Sequence, residues 1–111
     1  MDDLDSLGLH AAVLAAGAST RFGSPKQLVR LGGSPVLHQA AATAASIAGP
    51  SVAVVLGAFA KEIAPALRQS AASVVLNRDW EEGLASTVRV AVRTAPPRCA
   101  GLLLLLGDQV A

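Results

Sequence analysis

Between positions 14 and 28 the chain reads LAAGASTRFGSPKQL, and the residue types in it could together hold a phosphate. Backbone N–H groups converge on an anion only where side chains are absent or small. Ala16, Gly17, Ala18 and Ser19 meet that condition. Arg21 and Lys26 then bring cations, Arg as a planar fork for phosphate oxygens and Lys as a mobile point charge. Pro25 biases Ser24 away from helical geometry, so the basic residues are expected on an extended loop able to fold over a ligand. The same residues also read as an ordinary connection with solvated charges. Two familiar phosphate motifs are absent. There is no G-x-G-x-x-G, and Gly17 and Gly23 have five residues between them with Lys26 after Pro25, which is not G-x-x-x-x-G-K-[ST].

Such a loop must be positioned by the elements around it. Leu9–Ala15 is a short apolar run, expected as a buried strand. Ser34 reads as a helix cap and Pro35 as a first helical residue. Leu37, Ala40, Ala41, Ala44 and Ala48 then recur at helical spacing until Gly49–Ser51. A second strand is expected over Val52–Gly57. A helix follows over Glu62–Gln69, with Ile63, Ala66 and Leu67 on one face and Pro65 in its first turn or kinking it. Ser73–Leu76 is a third strand. Leu84, Val88, Ala91, Val92 and Ala95 form a helical stripe, and Gly101–Gly107 is a fourth strand. Strands that alternate with helices and are almost wholly apolar imply a parallel sheet covered on both faces, an α/β three-layer α/β/α sandwich. Ligands of such sheets bind beyond the carboxyl ends of the strands. Three stretches leave a strand there: the opening loop, Asn77–Gly83 and Gly107–Gln109. Residues 1–8 read as a loosely held leader to a domain over 9–111.

Composition narrows the classes. Of 111 residues 52% are apolar but only 3% aromatic, with no Tyr, so the core must pack small side chains closely. A net charge of +1 without a basic block gives no case for nucleic acid. The acidic start is unlike a signal peptide, and Leu102–Leu106 is too short to span a bilayer, so a soluble, cytoplasmic protein without membrane partners is expected. Cys99 is the single cysteine and reads as a packing or surface thiol. His10 and His38 lack metal-ligand spacing, Glu81 and Glu82 read as solvated, and Trp80 as packing over a sheet edge.

The loop resembles the L-A-A-G-x-S-x-R-[MF]-G-x-P-K signature of the molybdenum cofactor cytidylyltransferase group within the MobA-like NTP transferase family. Guanylyl-transferring relatives usually show A-G-G in place of A-A-G. Asn77–Val88, NRDWEEGLASTV, is similar to that group's N-x-x-[WY]-x-x-G-[LM]-x-x-S-[VI], and Leu102–Val110, LLLLLGDQV, to its apolar strand ending in D-Q-P, with Val110 at the Pro position. The methylerythritol phosphate cytidylyltransferases share PKQ but carry an H-D-A-A-R segment, and glucose-1-phosphate transferases lack the GLASTV stretch.

The resemblance implies a Rossmann-like sheet of the nucleotide-diphospho-sugar transferase type, of which this chain covers the N-terminal half. It implies Mg²⁺-dependent transfer of CMP, or another NMP, from an NTP such as CTP to a phosphate acceptor of the molybdopterin kind, with release of pyrophosphate. Leu14, Ala15, Ala16, Gly17 and Ser19 would bind the nucleotide, Arg21 would clamp its β and γ groups, and Lys26 would reach the α-phosphoryl group or the pyrophosphate. Asn77, Gly83, Leu84 and Ser86, with Thr87, would line the base and ribose pocket, and Asp108 would hold the metal. Local readings stand beside these: Asn77 as a turn residue, Ser86 as a helix cap, and Asp108 as a cap for a following helix. The family's domain is longer, so a fragment with an exposed sheet edge is expected, covered by a second copy or a partner and slow in turnover. Three alternatives stay open: an NTP-binding half-domain without turnover, an isoprenoid or sugar-phosphate cytidylyltransferase, and an unrelated α/β protein whose loop binds only an anion.

Overall fold

The apolar run expected as the first strand forms β1, Leu9–Ala15, and every residue in it but the first is buried. A computed structural model describes residues 8–107 of the chain apart from Phe22, Gln69 and the Leu31 side chain; Asp108 lies outside the described residues. β2, Val52–Leu56, is buried throughout. With β3, Ser73–Leu76, and β4, Gly101–Leu106, these form a four-stranded sheet in the order β3-β2-β1-β4, parallel at every pairing. Val13 sits between Val54 and Leu105 in register.

Helices cover both faces, giving the three-layer sandwich the sequence implied. α1, Val36–Ala48, lays Leu37, Ala40, Ala44 and Ala48 on Ala11, Val13 and Ala15, joined by Ile63 and Leu67. On the other face Ala12, Leu14 and Val55 pack against Ala91 of α3, Leu84–Thr94. Alanines on both sides of each contact let backbones approach closely, which is how a chain with few aromatics fills its core.

Three local expectations are corrected. Ser34 does not cap α1: Ser34–Pro35 is extended and pairs antiparallel with Arg30–Leu31. The two-residue turn between them, Gly32-Gly33, takes φ of 64° and 84°, the positive angles a tight hairpin turn needs. The helix expected over 62–69 instead runs over Ala60–Ile63, named α2, and continues as a 3₁₀ turn, Ala64–Leu67. Pro65 has no N–H to extend an α-helical ladder, though Ile63 and Leu67 are buried as the pattern required. In α3 the inward face carries Ser86, Thr87 and Ala91, while Leu84 and Val92 are 58% and 57% exposed. Hydrogen bonds to Ser86 and Thr87, described below, rotate the helix away from its most apolar stripe.

The strand order reverses between β1 and β4. The chain leaving β1 passes to β2 on one side, and β4 lies on the other, so the two exits diverge and open a crevice at the sheet's carboxyl edge. The outward residues of the edge strands, Val74 and Leu76 on β3 and Leu103, Leu104 and Leu106 on β4, are exposed.

Candidate functional site

A cleft of about 400 Å³ opens at that crevice. Leu14, Ala15, Ala16, Gly17 and Ala18 form one wall, with Gln27 beneath. Trp80, Glu81, Gly83, Leu84 and Thr87 form the other, and Leu106 closes the end beside β4.

The first wall is fixed through its carbonyls. Leu14 O accepts from Gly107 N–H at 2.9 Å, and Ala16 O from Ala58 N–H at 3.1 Å. The Gln27 side-chain amide donates through Nε2 to Ala15 O at 2.8 Å and Gly17 O at 3.1 Å. Four successive carbonyls are thus held by protein donors. The N–H groups of Ala16, Gly17, Ala18 and Ser19, by contrast, donate to no acceptor among the described residues. In a trans peptide C=O and the following N–H point oppositely, so carbonyls drawn toward Gln27 turn the Ala16 and Ala18 N–H groups away from it. Ala16 is buried while Gly17, Ala18 and Ser19 are open to solvent, and N–H groups without protein acceptors beside a cleft are a ready site for an anion.

Two glycines permit this geometry. A Cβ on Gly57 would lie 2.7 Å from Trp80 Cβ and 2.9 Å from both Ala16 Cβ and Ala16 O, so only Gly lets β2's exit support both walls. A Cβ on Gly107 would meet Ala15 Cβ at 2.9 Å and Val13 Cγ1 at 3.0 Å.

The second wall is built from behind. Asn77 Nδ2 donates to Ser86 Oγ at 2.9 Å and Thr87 Oγ1 at 3.0 Å, while its Oδ1 accepts from Asp79 N–H at 2.9 Å. The Ser86 hydroxyl has Gly83 O at 2.7 Å and Asp79 O at 3.0 Å within reach. This network ties the turn after β3 to the first turn of α3, which starts directly after Gly83.

The sequence-derived residues therefore divide into groups. Leu14, Ala15, Ala16, Gly17, Gly83 and Leu84 converge on the cleft, together with Thr87. Asn77 and Ser86 are buried behind its wall, and each hydrogen-bonds the other in place of lining it. Asn77 acts as the turn residue weighed for it, and Ser86 sits inside α3 and not at its cap, which is Gly83. Ser19, Arg21 and Lys26 are exposed beyond the lining, on an arm where Thr20–Arg21 pairs antiparallel with Ser24–Pro25 and Lys26 N–H donates to Ser19 O at 3.0 Å. Trp80 and Glu81, read from sequence as packing and solvated, both face the cleft. Gln27 had no sequence signal beyond its place after Lys26. A polar residue followed by apolar Leu28 and Val29 gives no hint that its amide spans two carbonyls.

No group of three or more His, Cys, Asp and Glu side chains converges among the described residues. His10 lies buried near the opposite end of β1, with Nδ1 2.7 Å from Ser51 Oγ and burial holding its pKa below the ordinary imidazole value against the opposing Ser51 contact. His38 is exposed on α1 and contacts Ala66 O. No helix of the described residues is long and apolar enough to cross a membrane.

Against this geometry the likenesses to known proteins fall into one pattern. Rv0371c of Mycobacterium tuberculosis H37Rv superposes with a TM-score of 0.73 at 35% identity, over 92% of this chain and 52% of that one. Its manganese complex gives 0.70 at 32% over 94% and 53%, and a homologue from Mycobacterium sp. strain JC1 gives 0.73 at 32% over 93% and 52%. Nicotine blue oxidoreductase of Paenarthrobacter nicotinovorans is 33% identical across 88 residues, 78% of this chain and 43% of that protein. The chain thus spans about half the length of these relatives. Residues 11–111, from the third residue of β1 through the cleft to the final residue, match the MobA-like NTP transferase domain, and the chain belongs to that family.

Proposed function

We propose that this chain forms the nucleotide-binding part of an enzyme that transfers a nucleoside monophosphate from an NTP to a phosphate-bearing acceptor. The carrying observation is the set of amide donors at Ala16–Ser19, without acceptors among the described residues at the sheet's switch point, while the neighbouring carbonyls of Leu14–Gly17 are engaged. A triphosphate seated there exchanges water for amides that need no reorganisation during the reaction. Arg21 and Lys26, on the arm that leaves the cradle, then close on the β and γ groups and on the α-phosphoryl group. The nucleoside lies toward Leu14, Gly83, Leu84 and Thr87, where α3 also presents its N-terminal end.

The protein's task in such a transfer is alignment and neutralisation of the charge that builds on departing pyrophosphate. A divalent cation, when bound, supplies part of that neutralisation. Hard oxygen donors suit Mg²⁺, which takes one or two carboxylates together with phosphate oxygens. Glu81 offers a carboxylate in the lining. Asp108 follows the strand that brings Leu106 and Gly107 to the cleft, and it would be the other. The manganese complex of Rv0371c supports a divalent ion in the fold. The A-A-G form of the loop favours CTP over GTP, and with it CMP transfer to a molybdopterin-type acceptor in the cytoplasm.

Isothermal titration with CTP, GTP and ATP, with and without Mg²⁺, tests this reading alongside a pyrophosphate-release assay. Mg²⁺-dependent CTP binding with release supports it. Binding without release reduces the chain to a nucleotide-binding half-domain, and no binding by any nucleotide overturns it.

A further inference from the structure

We infer that Gln27 is a positioning residue for the nucleotide site: its side-chain amide holds the Gly17 turn in the conformation that points backbone N–H groups at the ligand. The inference rests on the proposed nucleotide reading and adds a residue that no sequence motif assigned.

Gln27 is 2% exposed, one of the largest fully buried side chains among the described residues, and it lies beneath the wall formed by Leu14, Ala15, Ala16, Gly17 and Ala18. A buried amide costs free energy unless its polar atoms are matched. Here the matching is one-sided. Nε2 uses both protons on Ala15 O and Gly17 O, 2.8 Å and 3.1 Å away, while Oε1 is buried without a donor. The amide orientation follows from chemistry, since the reverse placement would set Oε1 against two carbonyl oxygens. Leu or Met would fill the same volume without an orphaned acceptor. What they cannot do is reach two carbonyls on alternate residues of one turn.

That spacing matters. Ala15 O and Gly17 O both turn toward Gln27, and Ala16 O turns the other way to Ala58 N–H. The alternation sets the Ala16 and Ala18 N–H groups opposite the Gln27 side and leaves them without acceptors among the described residues. Gln27 itself opens no path to ligand: its Oε1 is buried, and its position beneath the wall makes it a splint acting through backbone. Its placement in the 3₁₀ turn Lys26–Leu28 also joins the cradle to the cationic arm, because Lys26 precedes it directly.

Two variants test the splint. Gln27→Met keeps the volume and removes both donors, so NTP affinity should fall about tenfold or more at every pH, with far-UV circular dichroism unchanged. Gln27→Glu replaces the donors with a buried carboxylate facing two carbonyls, whose pKa must rise. At pH 8 it should bind NTP at least as poorly as Gln27→Met. Near pH 5.5 the protonated acid regains one donor, and the Gln27→Glu affinity, divided by the wild-type value at the same pH, should recover severalfold while that of Gln27→Met does not. A purely packing role would not produce that pH profile. Wild-type affinity in both variants, no recovery in Gln27→Glu at low pH, or a Gln27→Met chain that cannot fold would each overturn the inference and leave the nucleotide reading intact. Failure of wild type itself to bind any NTP would overturn that reading first.

Discussion

On the proposed reading Gly17 is kept for ligand and Gly83 for backbone. A Cβ built on Gly17 meets nothing within 4 Å, and Gly17 is absent from the glycines with positive φ. Alanine therefore fits the free protein without strain, and by restricting the unfolded chain it should stabilise the fold by about 0.4–1 kcal/mol. A phosphate oxygen on the Ala16 and Ala18 amides that flank Gly17 would sit about 2.9 Å from nitrogen. A methyl group beside it holds the oxygen at about 3.5 Å or more, and at least one hydrogen bond is lost. Bonds of this kind to a charged group are worth about 1.5–3 kcal/mol, which corresponds to a drop in affinity of about tenfold to about a hundredfold. Gly17→Ala should then raise the CTP dissociation constant by that factor while its urea midpoint stays level or increases. Gly83→Ala is the contrast, since Gly83 sits at φ 98° and alanine there is strained by about 1–3 kcal/mol whatever the ligand does. Unchanged nucleotide affinity in Gly17→Ala, or a loss of stability as large as that of Gly83→Ala, would refute the reasoning.

Three further outcomes follow from single features. Asn77→Ala removes two buried donors and one acceptor that tie the turn after β3 to α3, and urea unfolding should show a loss of about 2–3 kcal/mol. His10 is held below its ordinary value of 6.5, so the unfolded chain takes up the proton more readily. Stability should therefore be intact above about pH 6.5 and decline as pH falls through the folded-state value, and His10→Gln should lose less between pH 8 and pH 5.5 in urea midpoints. The 111-residue chain exposes Leu104 and Leu106 on the edge strand β4, with exposed Leu84 sharing the cleft lining with Leu106, so light scattering should find self-association that Leu104→Lys reduces; a monodisperse monomer without the substitution would contradict this.

The four strands of the sheet were legible because LHAAVLA, VAVVL, SVVL and the leucine run contain hardly a polar side chain; burial on both faces dictates this for β1 and β2, whereas the edge strands β3 and β4 are as apolar with their side chains exposed or half-buried. The helices were less legible where polar bonding competes with apolar pattern. α3 carries a clear stripe from Leu84 to Val92, yet both ends of that stripe face outward, because Asn77 draws Ser86 and Thr87 into the interior. A hydropathy reading counts Ser86 as outward and cannot register a buried partner nine residues earlier. Ser34-Pro35 failed for a related reason. The cap and first-turn preferences of that pair are real, but the Gly32-Gly33 turn gives it a strand partner in Arg30–Leu31 first.

The site divides along the same line. Gly17 and its small neighbours could be singled out because the anion cradle proposed for them demands absent side chains, and absence is visible in a sequence. The parts that give the cradle its direction were hidden, since each acts through backbone geometry. Gln27 does so through two carbonyls, Gly57 by letting Trp80 and Ala16 come within reach of one another, and Gly107 by letting β4's exit donate to Leu14 O. All three sit on different connections and are united only by the β3-β2-β1-β4 order, which brings the exits of β1, β2 and β4 to one edge. A loop motif on a chain without that order would keep its glycine and its cations and still lack a fixed set of amide donors. The specificity for phosphate proposed for the motif would therefore reside as much in the sheet that anchors its carbonyls as in the loop itself.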